Sequence, residues 1–125
     1  DQEDYGWKWR HYMAEQIAAT MDMESFGVKA IYLFGSTNNC SARCNSDIDL
    51  IIHIDGEIEK REKLSNWLQG WSMALSQINY LKTGYQSNGL LDVHYVTDED
   101  IMNKTSYAVK INSIYDPITP LRIRH

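Results

Sequence analysis

Apolar residues recur every fourth position at Trp9, Met13, Ile17 and Met21, with Ala14, Ala18 and Ala19 between them. That period predicts a helix over 7–23, which Gly27 would stop. The pattern then shortens. Val28–Phe34 is a β-branched and aromatic run, and Ile48–Ile54 is a second one closed by Asp55-Gly56, so both predict strands. Between them, 36–46 is rich in Ser, Asn and Cys and predicts a loop with at most one helical turn. Helical spacing returns over 57–80, where Leu64, Trp67, Leu68, Trp71, Leu75 and Ile78 form an apolar stripe after a charged, solvated start at Glu59, Lys60, Arg61 and Lys63. Trp67 and Trp71 on that stripe read as core. Gly70 costs the helix about 1 kcal/mol relative to Ala, which suggests close packing there. A turn-rich connector over 82–89 leads to a third strand at 90–96. Thr97, followed by Asp98, Glu99 and Asp100, predicts a capped short helix. Tyr107, Val109, Ile111 and Ile114 permit one more strand, after which Asp116-Pro117 and Thr119-Pro120 should break regular structure.

The chain has 125 residues, 43% apolar and 23% charged, which suits one domain, 1–125, around one core. Its first residue is not Met, consistent with a domain cut from a longer chain. No apolar run reaches the ~20 residues of a membrane span. A formal net charge of −5 and the lack of a basic-aromatic stripe disfavour a nucleic-acid partner. Cys40 and Cys44 are the only cysteines, too few for a disulfide framework and without the His or Cys of a zinc site, so free thiols and a cytoplasmic location are expected.

The chemistry begins with a conflict. Asp47 and Asp49 open the second strand on the same side, with Cα atoms ~6.5–7 Å apart, while Ile48, Leu50 and Ile52 face the core. Two carboxylates held this way repel, and a divalent cation neutralises them; oxygen donors on a rigid element suit Mg²⁺. Asp92 lies inside another apolar strand, LLDVHYV, with His94 on its side and Leu91, Val93 and Tyr95 opposite. An aspartate there is costly unless it is solvated, paired or metal-bound. If the two strands are neighbours, three carboxylates converge, and such a patch holds two cations ~3.5–4 Å apart for displacement at phosphorus. Gly35-Ser36 lets backbone approach a phosphate and offers amides and a hydroxyl. Three carboxylates this close should leave at least one reluctant to ionise.

These residues carry a resemblance. Phe34-Gly35-Ser36, ten residues, Asp47-Ile48-Asp49-Leu50 and then a strand aspartate, Asp92, resemble the nucleotidyltransferase superfamily of polymerase β-like fold, of the minimal nucleotidyltransferase type. The resemblance implies an α/β (α+β) fold, a twisted mixed β-sheet backed by helices. It implies a metal-dependent enzyme that transfers a nucleoside monophosphate from a nucleoside triphosphate, ATP by default, to an acceptor hydroxyl and releases pyrophosphate. Asp47 and Asp49 would bind Mg²⁺, with Mn²⁺ as a substitute. Asp92 would bind a second ion and orient or deprotonate the acceptor. Gly35 and Ser36 would hold the β- and γ-phosphates. A basic residue often follows that Ser in the family. Here Thr37 does, and Arg43 is the loop's one positive charge and the candidate phosphate contact.

The rival expectation is a non-catalytic or partner-dependent module, antitoxin-like or an accessory domain fused to a larger enzyme. His53 and His94 read as satisfied imidazoles, and Tyr85 as a surface residue. The acceptor is not legible.

Overall fold

A computed structural model describes residues 6–112 and 117–125. The elements, in chain order, are α1 (Gly6–Thr20), α2 (Met23–Phe26), β1 (Val28–Phe34), α3 (Gly35–Asn38), β2 (Ile48–Ile54), α4 (Ile58–Thr83), β3 (Leu91–Val96), α5 (Asp98–Asn103), a 3₁₀ helix (Ser106–Asn112) and β4 (Thr119–Ile123). The four strands form one twisted mixed sheet in the order β3-β2-β1-β4, with β2 and β3 parallel and the other pairs antiparallel.

Period-2 alternation divides the sheet into two faces. Ile31, Leu33, Ile48, Leu50, Ile52 and Ile54 point at the helical layer, where they pack with Ala14, Ile17 and Ala18 of α1, Met23 of α2 and Leu64, Leu68 and Leu75 of α4. Each buried Leu or Ile contributes about 1.5–3 kcal/mol, so this face sets the register. The opposite face buries less: Ile51, Val96 and Ala108, flanked by Tyr32, Phe34, Ile101, Tyr107 and Ile111. The remaining positions of that second face, toward the starts of β2 and β3, carry the acidic residues.

The elements follow local chemistry. Gly27 takes the left-handed conformation, φ +68°, that closes α2. Thr97 and Asp100 form a reciprocal capping box on α5. Asp98 then accepts from Lys29 Nζ at 2.7 Å and contacts His53 Nε2 at 2.6 Å, which ties α5 to β1 and β2 and satisfies that imidazole.

Five expectations are corrected. The helix expected over 7–23 ends at Thr20, and Met23 opens the separate α2, while the apolar stripe does meet the core: Ile17 is buried and Trp9 and Met13 pack against it, beside buried Arg10, Ala14 and Ala18. Ile78 is half-exposed, and its place on the buried side of α4 is taken by Ser72, Ser76 and Asn79. Gly70 is exposed and has no neighbour where a Cβ would stand, so no close packing explains it. The segment after Ser106 is helical, because Tyr107, Ala108 and Ile111 meet the sheet while Val109 stays exposed. Thr119-Pro120 does not interrupt structure either: Pro120 sits in β4, at the sheet edge where a missing N–H is tolerated. The expectations at Ile114 and Asp116 lie outside the described residues.

Candidate active site

The turn after β1, the start of β2 and the start of β3 meet at one end of the sheet. Phe34, the last residue of β1, pairs with Asp49 on one side of β2, and Asp92 is the partner of Asp49 on the other. Core demand places them there: with Ile48 and Leu50 fully buried toward the helices, Asp49 must project from the second face, and Leu91 and Val93 impose the same on Asp92. Asp47 stands one residue before β2.

The three carboxylates form an electrostatic unit. Asp49 is half-buried and its carboxyl is pushed up to about 7. Burial is the main cause, followed by the charge of Asp92, a hydrogen bond with the Asp92 carboxyl and the charge of Asp47. Asp47 is also raised, by desolvation and then by Asp92, although its side chain is largely exposed; the Arg10 guanidinium opposes both. One carboxyl of the three thus resists ionisation, as their crowding requires. The Asp92 side chain is 50% exposed and lies 3.3 Å from His94 Nε2. The His94 ring stacks on Tyr107 at 3.7 Å, with Phe34 5.8 Å from each.

Gly35 takes φ +75°, and a Cβ there would run into Asp49 Oδ2. The backbone turn therefore lies directly against the central carboxyl, an approach only glycine permits. Ser36 follows, half-buried, and its carbonyl accepts from the Ser41 amide at 2.8 Å. Thr37 is fully buried and, among the described residues, its Oγ1 has no hydrogen-bond partner, so it does not replace a phosphate-facing basic residue. Arg43 is exposed, and among the described residues its hydrogen bonds are all through the backbone: its amide donates to Ser46 Oγ at 2.8 Å and its carbonyl accepts from the Ser46 amide at 3.0 Å. The structure thus brings Gly35, Asp47, Asp49 and Asp92 together, with Ser36 adjoining, and leaves the Arg43 side chain in solvent. Cys40 and Cys44 are exposed free thiols.

Three hard oxygen donors that repel one another, one of them holding a proton near neutrality, are the chemistry a divalent cation relieves, so the donor set fits Mg²⁺. Asp92 acts on Asp49 more strongly than Asp47 does, and both do so through their charge. Among the described residues, no three acidic, imidazole or thiol groups already enclose a metal position.

Buried polar side chains in the helical layer brace this end of the sheet, and sequence reasoning missed them. Ser72 Oγ accepts from the amides of Leu90 and Leu91 at 3.0 and 3.1 Å, just before Asp92. Arg10 and Asn79, both fully buried, hold the segment just before Asp47. A signal was present for Arg10, which lies four and eight positions before Ala14 and Ala18 on one helix face. A cleft of about 420 Å³ lined by Ser76, Gln77, Tyr80, Gln86, Ser87 and Asn88 shares no residue with the carboxylate group.

No helix is long and apolar enough to cross a membrane among the described residues. No protein with a curated description matches the chain significantly. A solved structure, that of a candidate nucleotidyltransferase from Sulfolobus solfataricus, is similar at 13% identity over 82% of each chain, with a TM-score of 0.42, too low to add to the assignment. The family profile "Polymerase beta, Nucleotidyltransferase" matches residues 15–102, which include Gly35, Ser36, Asp47, Asp49 and Asp92. With more than half of its length matched, the chain belongs to the polymerase beta nucleotidyltransferase family.

Proposed function

We propose that this protein is a metal-dependent nucleotidyltransferase that moves a nucleoside monophosphate from a nucleoside triphosphate, with ATP as the default donor, to an acceptor hydroxyl. The observation that carries the reading is the packing of the Gly35 turn against Asp49, with Asp92 beside it in register. A triphosphate laid along Gly35-Ser36 would meet backbone amides and the Ser36 hydroxyl, with its reactive phosphorus near the carboxylates. Asp47, Asp49 and Asp92 would hold Mg²⁺, or Mn²⁺ in its place. When bound, the cation offsets phosphate charge and polarises the phosphoryl oxygens.

Asp92 is the most solvent-open of the strand carboxylates and sits where an acceptor can reach it. It accepts the hydroxyl proton as the acceptor oxygen bonds to the α-phosphorus and the bond to pyrophosphate breaks. His94, 3.3 Å from Asp92 and stacked on Tyr107, keeps that carboxyl oriented. The exposed thiols and the triphosphate donor both suit a cytoplasmic setting.

Titration calorimetry with Mg-ATP and the other Mg-nucleoside triphosphates tests the reading. Binding that Asp47→Asn or Asp49→Asn abolishes supports it. An absence of binding at millimolar nucleotide would remove it.

A further inference from the structure

A guanidinium is an expensive filling for a helix–sheet layer. Arg10 is nonetheless fully buried, at a position of α1 where the next two turns place Ala14 and Ala18. Its nitrogens reach Ser46 O (Nε, 3.0 Å), Gly6 O (Nη1, 3.0 Å), Cys44 O (Nη2, 3.4 Å) and Asn79 Oδ1 (Nη2, 2.8 Å). Asn79 is also fully buried, on α4, and its Nδ2 donates to the same Cys44 carbonyl at 2.9 Å. Two residues 69 positions apart, one on α1 and one on α4, thus grip one short segment from two directions. That segment ends at Ser46, and the next residue is Asp47.

Stability alone is a poor reason for this arrangement. Well-packed apolar residues of similar volume often fill such a site as stably as a buried cation does. What an apolar residue cannot supply is directional hold on loop carbonyls. The loop between α3 and β2 is otherwise tied by short local bonds, such as Ser46 N–H to Arg43 O at 3.0 Å. Asp47 precedes the strand and so lacks the ladder that fixes Asp49.

We infer that Arg10 and Asn79 are positioning residues for the active site: their joint grip on the Cys44 and Ser46 carbonyls sets where the Asp47 carboxylate stands for the incoming cation. The inference rests on the reading of Asp47 as a cation ligand. The planar fork matters, because it spans carbonyls on both sides of the turn. A lysine keeps the charge but presents one compact donor group. Outer partners of this kind typically change metal affinity 10- to 100-fold when altered.

The test compares Mn²⁺ binding, followed by electron paramagnetic resonance, in the wild type, Arg10→Lys, Asn79→Ala and Thr97→Ala. Thr97 caps α5 and makes no contact with the segment; its loss lowers stability without touching the grip. Amide hydrogen exchange at Ser46, whose N–H is bonded to Arg43 O, reports how readily the gripped segment opens. Expected are Mn²⁺ affinity about 10-fold weaker in Arg10→Lys and several-fold weaker in Asn79→Ala, with faster Ser46 exchange in both and wild-type affinity in Thr97→Ala. Wild-type Mn²⁺ affinity in both Arg10→Lys and Asn79→Ala overturns the inference. So does unchanged Ser46 exchange, or an equal loss of affinity in Thr97→Ala. Faster Ser46 exchange combined with no Mn²⁺ binding by the wild type supports the grip and overturns the metal reading instead.

Discussion

Asp49 and Asp92 are register partners on parallel strands, and the Asp92 charge bears on the half-buried Asp49 carboxyl. Burial and that neighbouring charge favour a proton on Asp49, which ties the stability of the protein to pH. The folded Asp49 carboxyl titrates at about 7, well above its ordinary value of 3.8. Between those limits the folded state holds a proton that the unfolded chain has released. The contribution is therefore fully present below about pH 4 and is lost as pH rises through about 7. In chelator, the Tm should decline from this group between pH 5 and pH 8. The site is partly hydrated, so Asp49→Asn should gain about 1 kcal/mol at pH 8 rather than the several a dry site would give. Adding Mg²⁺ at pH 8 should raise the wild-type Tm and leave that of Asp49→Asn nearly unchanged. Calorimetry over this pH range decides the matter; equal profiles for the two proteins would contradict it.

Gly35→Ala should hurt twice. Its left-handed φ costs a non-glycine residue about 1–2 kcal/mol, and the new methyl must displace the Asp49 carboxyl. Urea melts should show at least that loss, and Mg-ATP affinity should fall with it. A variant that is destabilised but binds nucleotide normally would separate the turn from the site.

Ser72→Ala removes the hydroxyl that receives two amides at the entry to β3. The Leu90 amide keeps a bond to the Ser72 carbonyl at 3.1 Å, so the cost falls mainly on Leu91. A loss of about 1–3 kcal/mol in urea unfolding is expected. A loss below a few tenths of a kcal/mol would mean that water takes the place of the hydroxyl.

Thr97→Ala breaks the capping box of α5 and should cost about 1 kcal/mol. Nucleotide binding should be unaffected, because α5 follows the far end of β3 from Asp92. A parallel drop in Mg-ATP affinity would show that the two ends of the sheet are coupled.

Much of the fold was legible because its signals are local. Strands β1 and β2 lie where β-branched runs placed them, and the Thr97 cap and the Gly27 stop are readable from neighbouring residues. Asp47, expected to share the strand of Asp49, stands one residue before it, but the outward side of Asp49 was legible for the same reason, since alternation in a strand needs no tertiary information. The 3₁₀ helix was not, because Tyr107, Val109 and Ile111 satisfy a strand pattern equally well until the sheet selects Tyr107, Ala108 and Ile111. Ile78 failed similarly: the stripe it extends ends where α4 turns its polar side to the entry segments.

By itself, the sequence determined which residues alternate in β1 and β2, the Thr97 cap, and that acidic groups and a Gly-Ser turn must lie near the ends of apolar strands. Those properties depend on covalent neighbours and on residue type. Only tertiary structure decided that β2 and β3 run side by side in parallel, so that Asp92 reaches Asp49, and that Arg10 and Asn79 close on the approach to Asp47. Contacts between residues tens of positions apart are chosen by how whole faces pack, and no local period encodes that choice.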